Sequence, residues 1–337
     1  MLINKQWGIW AGGSLTQDMP PELREKLQSQ GYHLLGERGA FKACQWQRKS
    51  LISGKTCYKQ RFYGIESHRC LQMTPTVDKC TQQCEFCWRV TPDDLGVEWN
   101  QVDVDAEEVL SPEELLEETL MANLRSLGGY NPEAGADVPE KRYLEARDPK
   151  HIAISLAGEP TLYPFLSDFV QAIRKRDMTS FLVTNGTQPD TLRSLTLPTQ
   201  LYITLAAPSE RLYKKLCRPA IADGWSRIQE SQKLLSTLSC RTVNRLTMVE
   251  GYNMTDVHSY ADMILTGEPD FVEVKGYMFI GSSRNRLRAA NSPPHRSIRA
   301  FSDKLEALTG YHLVDEQIES RVVLLSRNFD YDRINGV

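Results

Sequence analysis

No stretch of this 337-residue chain approaches 18 uninterrupted apolar residues, which excludes a membrane-spanning helix. The opening Met1-Leu2-Ile3-Asn4-Lys5-Gln6-Trp7 lacks the apolar core of a secretion signal. Internal repeats and low-complexity tracts are missing as well, so a repeat architecture is not expected. What is left is the balance of a soluble globular protein, with 41% apolar and 25% charged residues. The length suits one large α/β domain or two small ones. Against these absences, eight cysteines stand out. Without a secretion signal they point to a reducing, cytoplasmic setting and to metal or catalytic use.

Net charge is only −3, but it is unevenly spread. Residues 1–70 hold eleven Lys/Arg against five Asp/Glu, and residues 93–118 hold eleven acids with no Lys or Arg. Residues 282–304 hold six Lys/Arg and one acid. A near-neutral total can therefore hide a basic face, although most charge runs are solvated loops and helix faces.

Six cysteines fall into two sets. Cys80-Thr81-Gln82-Gln83-Cys84-Glu85-Phe86-Cys87 places three thiols at C-x₃-C-x₂-C, with an aromatic residue before the third. A [4Fe–4S] cube has four irons, so three cysteines leave one iron open to a substrate or cofactor. Zinc is the main rival, but structural zinc wants four ligands and no fourth thiol or His lies close in sequence. Plain structural thiols are the third reading. Upstream, Cys44, Cys57 and Cys70 recur at C-x₁₂-C-x₁₂-C in a basic, aromatic segment that includes Lys55, Tyr58 and Lys59. Taken alone, these three read equally well as small buried hydrophobes. Cys217 and Cys240 belong to no motif and are expected to be structural.

The element pattern is repeated strand and helix. Pro21 to Gln30 predicts a short helix stopped by Gly31. Leu71–Val77 predicts a strand before the cysteine loop. Ser111-Pro112-Glu113-Glu114 opens a helix with a capping box, and the acidic run before it suits a helix N-terminus. Residues 130–150 read as a polar insertion loop. Strands are then expected at Ile152–Leu156, Phe181–Thr184, Leu201–Leu205, Arg245–Glu250 and Phe271–Tyr277, with helices near 165–176, 209–216, 224–238 and 256–266. Six parallel strands predict an α/β fold, an open six-stranded (β/α)₆ partial barrel. Polar motifs follow the strand ends, where barrel active sites collect. Arg284, Arg286 and Arg288 alternate, so an extended strand there would put all three on one side, suited to phosphates. Beyond Phe301, a helix and a strand at Arg321–Leu325 predict a small closing extension.

The C-x₃-C-x-aromatic-C loop resembles the signature of radical S-adenosylmethionine enzymes, and Ala157-Gly158-Glu159-Pro160 resembles their glycine-glutamate motif. The runs His151 to Pro164 and Phe181 to Thr187, with evenly spaced cysteines N-terminal to the core, resemble one subfamily, the archaeal tRNA 4-demethylwyosine synthases. That resemblance covers roughly residues 40 to 300. It implies a basic segment with auxiliary cysteines at 1–62, a radical core at 63–305 and a C-terminal extension at 306–337. It implies two [4Fe–4S] clusters, one on Cys80, Cys84 and Cys87 and one on Cys44, Cys57 and Cys70. It also implies S-adenosylmethionine held near Gly158 and Glu159, with Thr184, Asn185 and Arg245 as weaker assignments.

The reaction implied joins N1-methylguanosine, beside the anticodon of phenylalanine tRNA, to pyruvate. A 5′-deoxyadenosyl radical takes hydrogen from the N1-methyl group, the carbon radical adds to pyruvate, the carboxyl carbon is lost, and ring closure gives 4-demethylwyosine. Lys59, two residues after Cys57, is implied as the catalytic group toward the keto acid, with Lys55 as the alternative. Arg284, Arg286 and Arg288 are expected to bind RNA. A separate flavodoxin- or ferredoxin-type electron donor and a monomeric, cytoplasmic enzyme complete the expectation. Two other classes share the core loop: a different radical enzyme, and a non-enzymatic iron–sulfur or zinc RNA-binding protein. Metal and sulfide analysis separates the last from the other two.

Overall fold

Buried β-branched and aromatic runs punctuated by helices leave one economical arrangement, a parallel sheet with the helices on one face. The computed structural model describes residues 18–334, so the opening Met1–Trp7 lies outside the described residues. Its strands are β1 (His33–Leu35), β2 (Gly39–Phe41), β3 (Cys70–Thr74), β4 (His151–Ile154), β5 (Thr179–Thr184), β6 (Gln200–Thr204), β7 (Arg241–Met248), β8 (Phe271–Gly276), β9 (His312–Gln317) and β10 (Val322–Ser326). They form a single sheet in the order β1-β2-β3-β4-β5-β6-β7-β8-β10-β9. Strands β3 to β8 are parallel neighbours in chain order, which is the six-stranded partial barrel expected. Both edges are extended by antiparallel strands, β2 and β1 on one side and β10 and β9 on the other. No described helix is long and apolar enough to cross a membrane.

Side chains alternate across a strand, and that alternation divides the interior in two. Ile152, Ile154, Leu182, Leu201 and Ile203 face the outer helices; Leu166–Lys175, for example, contributes Leu166, Phe169, Val170 and Ile173. The opposite parity faces the barrel lumen: Ala153, Phe181, Tyr202, Val243, Phe271, Val322 and Leu324. A short helix, Tyr58–Tyr63, fills that lumen with Tyr58, Phe62 and Tyr63. This helix spans the 62/63 boundary expected between the basic segment and the core.

Three sequence expectations need correction. Residues 130–150 are not a loop throughout: Glu140–Arg147 is helical and buries Tyr143 and Ala146 beside Leu51 and Leu127. Two apolar anchors in eight residues leave too thin a stripe to read as a helix. Arg284–Arg288 is not a strand: Arg284 lies within the 3₁₀ turn Gly281–Asn285, and Arg286 and Arg288 follow it. The closing helix begins at His295, ahead of Phe301, and leads to two antiparallel strands where one was expected.

Candidate active site

The first thiol set lies beyond the C-terminal end of β3. Its loop is clamped from below: the Gln83 N–H donates to Cys217 O (3.0 Å), the Glu85 N–H to Leu216 O (2.9 Å), and the Ala220 N–H to Thr81 O (2.8 Å). Two arginines hold it from the side. Arg89 donates from Nη2 to Gln82 O at 2.9 Å, while its buried Nε–H has no partner among the described residues. Arg286 donates to Cys87 O and to Glu85 O (3.3 Å) and pairs with Asp94 at 2.6 Å. Burial pushes the Cys80 thiol up to about 12, and Arg89 opposes that rise. Burial also raises Cys87; Cys84 is raised first by its hydrogen bond with the Cys217 thiol, then by burial. Cys217 therefore packs beside the loop rather than apart from it. Such thiols give up their protons to a cation, and Arg89 supplies standing positive charge that favours the thiolates.

Gly158 binds the loop to β4. Its φ is +73°, and a Cβ there would lie 1.7 Å from Thr76 O and 2.7 Å from Lys79 O. The Glu159 N–H donates to Lys79 O at 2.8 Å, and Thr76 Oγ1 donates to Glu159 O at 2.9 Å. The Glu159 carboxylate is buried. Its Oε1 accepts from the Thr161 N–H (3.1 Å), Thr161 Oγ1 (2.6 Å) and Thr184 Oγ1 (2.6 Å), and its Oε2 accepts from the Asn185 N–H (2.8 Å). Only Oε2 keeps a lone pair for a ligand ammonium.

The three weaker cofactor assignments do not form one set. The Thr184 hydroxyl spends its single proton on Glu159 and accepts from the Gly186 N–H, so it has none left for a ribose. Asn185 turns Nδ2 to Thr81 Oγ1 (2.9 Å) and toward Cys80 Sγ (3.8 Å), while Oδ1 accepts from Thr187. It braces the first cysteine. Arg245 lies elsewhere, in the lumen.

The second thiol set gathers at the other end of β3. Cys70 is the first residue of that strand, and Cys44 and Cys57 precede the first turns of helices Gln45–Ser53 and Tyr58–Tyr63. The two sets are therefore separated along β3 by about 13 Å at ~3.3 Å per residue. Burial is the main reason that Cys57 rises to about 11 and Cys70 to about 12, and each feels the negative charge of its neighbours in the set. Among the described residues neither set brings its three sulfurs within 4.8 Å of one another. One zinc at ~2.3 Å from each sulfur needs them closer than that. Neither set is therefore closed around a single zinc ion.

Lys59 reaches into the lumen between the two sets. It is 8% exposed, with Nζ 5.0 Å from the Phe181 ring centre and 5.1 Å from that of Tyr202. Among the described residues this amine has no hydrogen-bonding or ion-pair partner. Burial lowers its pKa, and Arg245 lowers it further. Arg245 pairs with Glu273 at 2.9 Å, donates to Tyr58 Oη at 3.0 Å and stacks on Tyr202. Tyr63 donates to Glu273 at 2.8 Å. The alternative lysine, Lys55, is exposed and pairs with Glu319 at 3.5 Å. Glu273, Lys275 and Arg89 were missed in the sequence. On β8 two charges of one parity interrupt a buried strand, but the sequence does not show that this parity faces the lumen.

Residues 74–264 match the family model "Radical SAM superfamily", and residues 266–327 match "Wyosine base formation". The chain is 46% identical to the S-adenosyl-L-methionine-dependent tRNA 4-demethylwyosine synthase of Pyrococcus abyssi, covering 92% of this chain and 90% of that one. The chain belongs to the radical S-adenosylmethionine tRNA 4-demethylwyosine synthase family. Its counterpart in Methanocaldococcus jannaschii is 38% identical over 91% of this chain and 96% of its own. A solved structure described as "Structure of TYW1 with a lysine-pyruvate adduct bound" aligns with TM-score 0.82 and 35% identity, over 92% of this chain and 96% of that one. Another, "Crystal structure of archaeal TYW1", aligns at 0.75 and 32%, over 94% and 99%. As a radical S-adenosylmethionine enzyme, this synthase family member uses S-adenosylmethionine and a [4Fe–4S] cluster. The part matching wyosine base formation contains β8, the arginine turn and the C-terminal hairpin.

Proposed function

We propose that this chain builds 4-demethylwyosine on phenylalanine tRNA from N1-methylguanosine and pyruvate. The observation that carries the reading is Lys59, a buried amine without a polar partner, set in the lumen between two groups of three thiols. Cys80, Cys84 and Cys87 hold the cluster that, with S-adenosylmethionine, supplies a 5′-deoxyadenosyl radical. Cys44, Cys57 and Cys70 hold a second [4Fe–4S] cluster. Gly158 lets the β4 end approach the first loop, and Asn185 orients Cys80. The lowered pKa of Lys59 leaves more of the free amine, whose lone pair can attack the ketone carbon of pyruvate. A C=N bond then replaces C=O and water leaves. The lysine–pyruvate adduct named for the solved relative supports this role. Electrons come from a separate flavodoxin- or ferredoxin-type protein.

Reconstituted anaerobically, the chain is expected to hold about eight irons. Cys57→Ala should lose about half of them, keep some cleavage of S-adenosylmethionine to 5′-deoxyadenosine, and make no tricyclic base. Lys59→Ala should keep the iron and lose the product. Mass spectrometry of digested tRNA, with labelled pyruvate, reads the added two-carbon unit. Labelled product from Cys57→Ala would remove the second cluster from the mechanism. Absence of label with the unmodified enzyme would reject pyruvate.

A further inference from the structure

The lumen carries charges that do not cancel. Glu273 is fully buried, and a buried charge is costly unless paired and hydrogen-bonded. It is satisfied by Arg245, Tyr58 and Tyr63. Arg245 is satisfied by the same carboxylate and by Tyr58. Lys275, two residues along β8 and of the same inward parity, makes no ion pair with a carboxylate among the described residues. Its Nζ donates to the Ser320 carbonyl at 2.9 Å and lies 4.9 Å from the Tyr58 ring centre, which leaves two N–H donors unspent. Two cations, Arg245 and Lys275, thus share this part of the lumen with one carboxylate among the described residues, while Lys59 is the amine that reacts.

We propose that Lys275 binds the carboxylate of the keto acid that Lys59 captures, and so selects α-keto acids over neutral ketones. This inference rests on the reading of Lys59 given above. The two lysines share their surroundings: Cys57, Arg245 and Glu273 act electrostatically on both, and Tyr58 adjoins Lys59 in sequence and Lys275 in space. In pyruvate the carboxylate is attached directly to the ketone carbon, so a substrate held on Lys59 carries its negative charge into this group. Arg245 is a poorer partner because Glu273 already neutralises it. Burial lowers Lys275 to about 8, so it remains charged at neutral pH. The Ser320 carbonyl that holds it belongs to the turn between β9 and β10, which gives the C-terminal extension a place in substrate recognition.

The test uses the full-length, cluster-loaded enzyme and two probes of similar shape, pyruvate and its neutral amide, pyruvamide. Each is titrated in the presence of borohydride, which reduces the imine to a stable amine, and the Lys59 adduct is counted by peptide mass spectrometry. The unmodified enzyme should trap pyruvate at about 10- to 100-fold lower concentration than pyruvamide, the range for one charge-assisted contact. Lys275→Met should raise the half-saturating pyruvate concentration by that factor and leave pyruvamide where it was. Lys275→Arg should restore most of the preference, with iron content unchanged in both variants. Equal shifts for both probes, or none, would overturn the role of Lys275 while leaving Lys59 in place. No preference in the unmodified enzyme would overturn it without any variant. Failure to trap pyruvate on Lys59 at all would remove the underlying reading as well.

Discussion

Gly158 shows how much a single residue fixes. Its positive φ and its closeness to Thr76 O leave no room for a side chain. Gly158→Ala must push the end of β4 away from the cysteine loop, and it is expected to cost about 3 kcal/mol of stability. Thermal unfolding of the cluster-free chain measures this; a loss well under ~1 kcal/mol would mean that the loop yields easily. Gly158, its neighbour Glu159 and the spaced cysteines were all legible in the sequence, because fixed short spacing survives without a structure. Lys59 was expected from the resemblance, at its spacing from Cys57, and the structure places it in the lumen. Glu273, Lys275 and the true place of Arg245 were not. A charge on a strand reads as a solvent-facing residue, and only the closing of the barrel reveals that this parity points inward.

At the scale of elements, the turn Gly281–Asn285 divides work that the alternating arginines seemed to share. Arg286 is 7% exposed at its side chain and Asp94 5%, and the arginine is spent on the cysteine loop. Arg284 and Arg288 remain exposed. Arg284→Ala with Arg288→Ala is therefore expected to reduce the slope of log affinity for tRNA against log salt by about two, as two lost phosphate contacts require. An unchanged slope would move the RNA site elsewhere. Arg286→Ala should behave differently. It breaks a buried pair at a cost of about 3–5 kcal/mol and, if Cys80, Cys84 and Cys87 ligate a cluster as proposed, should lower the iron that the reconstituted chain holds, which iron analysis detects. The six core strands were readable from apolar runs ended by Gly and Asn. The helix Glu140–Arg147 and the edge strands β1 and β2 were not, because three-residue strands and thin apolar stripes carry almost no periodic signal.

At the scale of the whole molecule, the segment around Thr56–Phe62 meets the C-terminal hairpin. Arg61 pairs with Asp315 at 2.7 Å, Gln317 Nε2 donates to Thr56 O at 3.2 Å, and Tyr331 Oη donates to Phe62 O at 3.0 Å. The extension whose purpose was unreadable in the sequence closes over the second cysteine set. Asp315→Ala combined with Gln317→Ala should leave the fold almost intact, since an exposed pair contributes only about 0.2–1 kcal/mol. Hydrogen exchange should nevertheless quicken in Gln45–Ser53 and Tyr58–Tyr63 and stay unchanged around Cys80–Cys87. Equal quickening in both places would mean that the hairpin supports the whole barrel and not this site.

These contacts also impose an order in time. The partners lie 254 to 269 positions apart along the chain. At about 5–20 residues per second, a ribosome needs roughly 13–50 s to travel that distance. Through that interval Cys44, Cys57 and Cys70 have been made but their cover has not. The loop at Cys80–Cys87 waits less: its clamp at Leu216–Ala220 emerges about a hundred residues sooner, and Arg286, the last to hold it, still precedes the hairpin by about 30 residues. In a growing cell the two sets of thiols are thus expected to mature in sequence, the upstream set last, and oxidants met during synthesis should damage that set first.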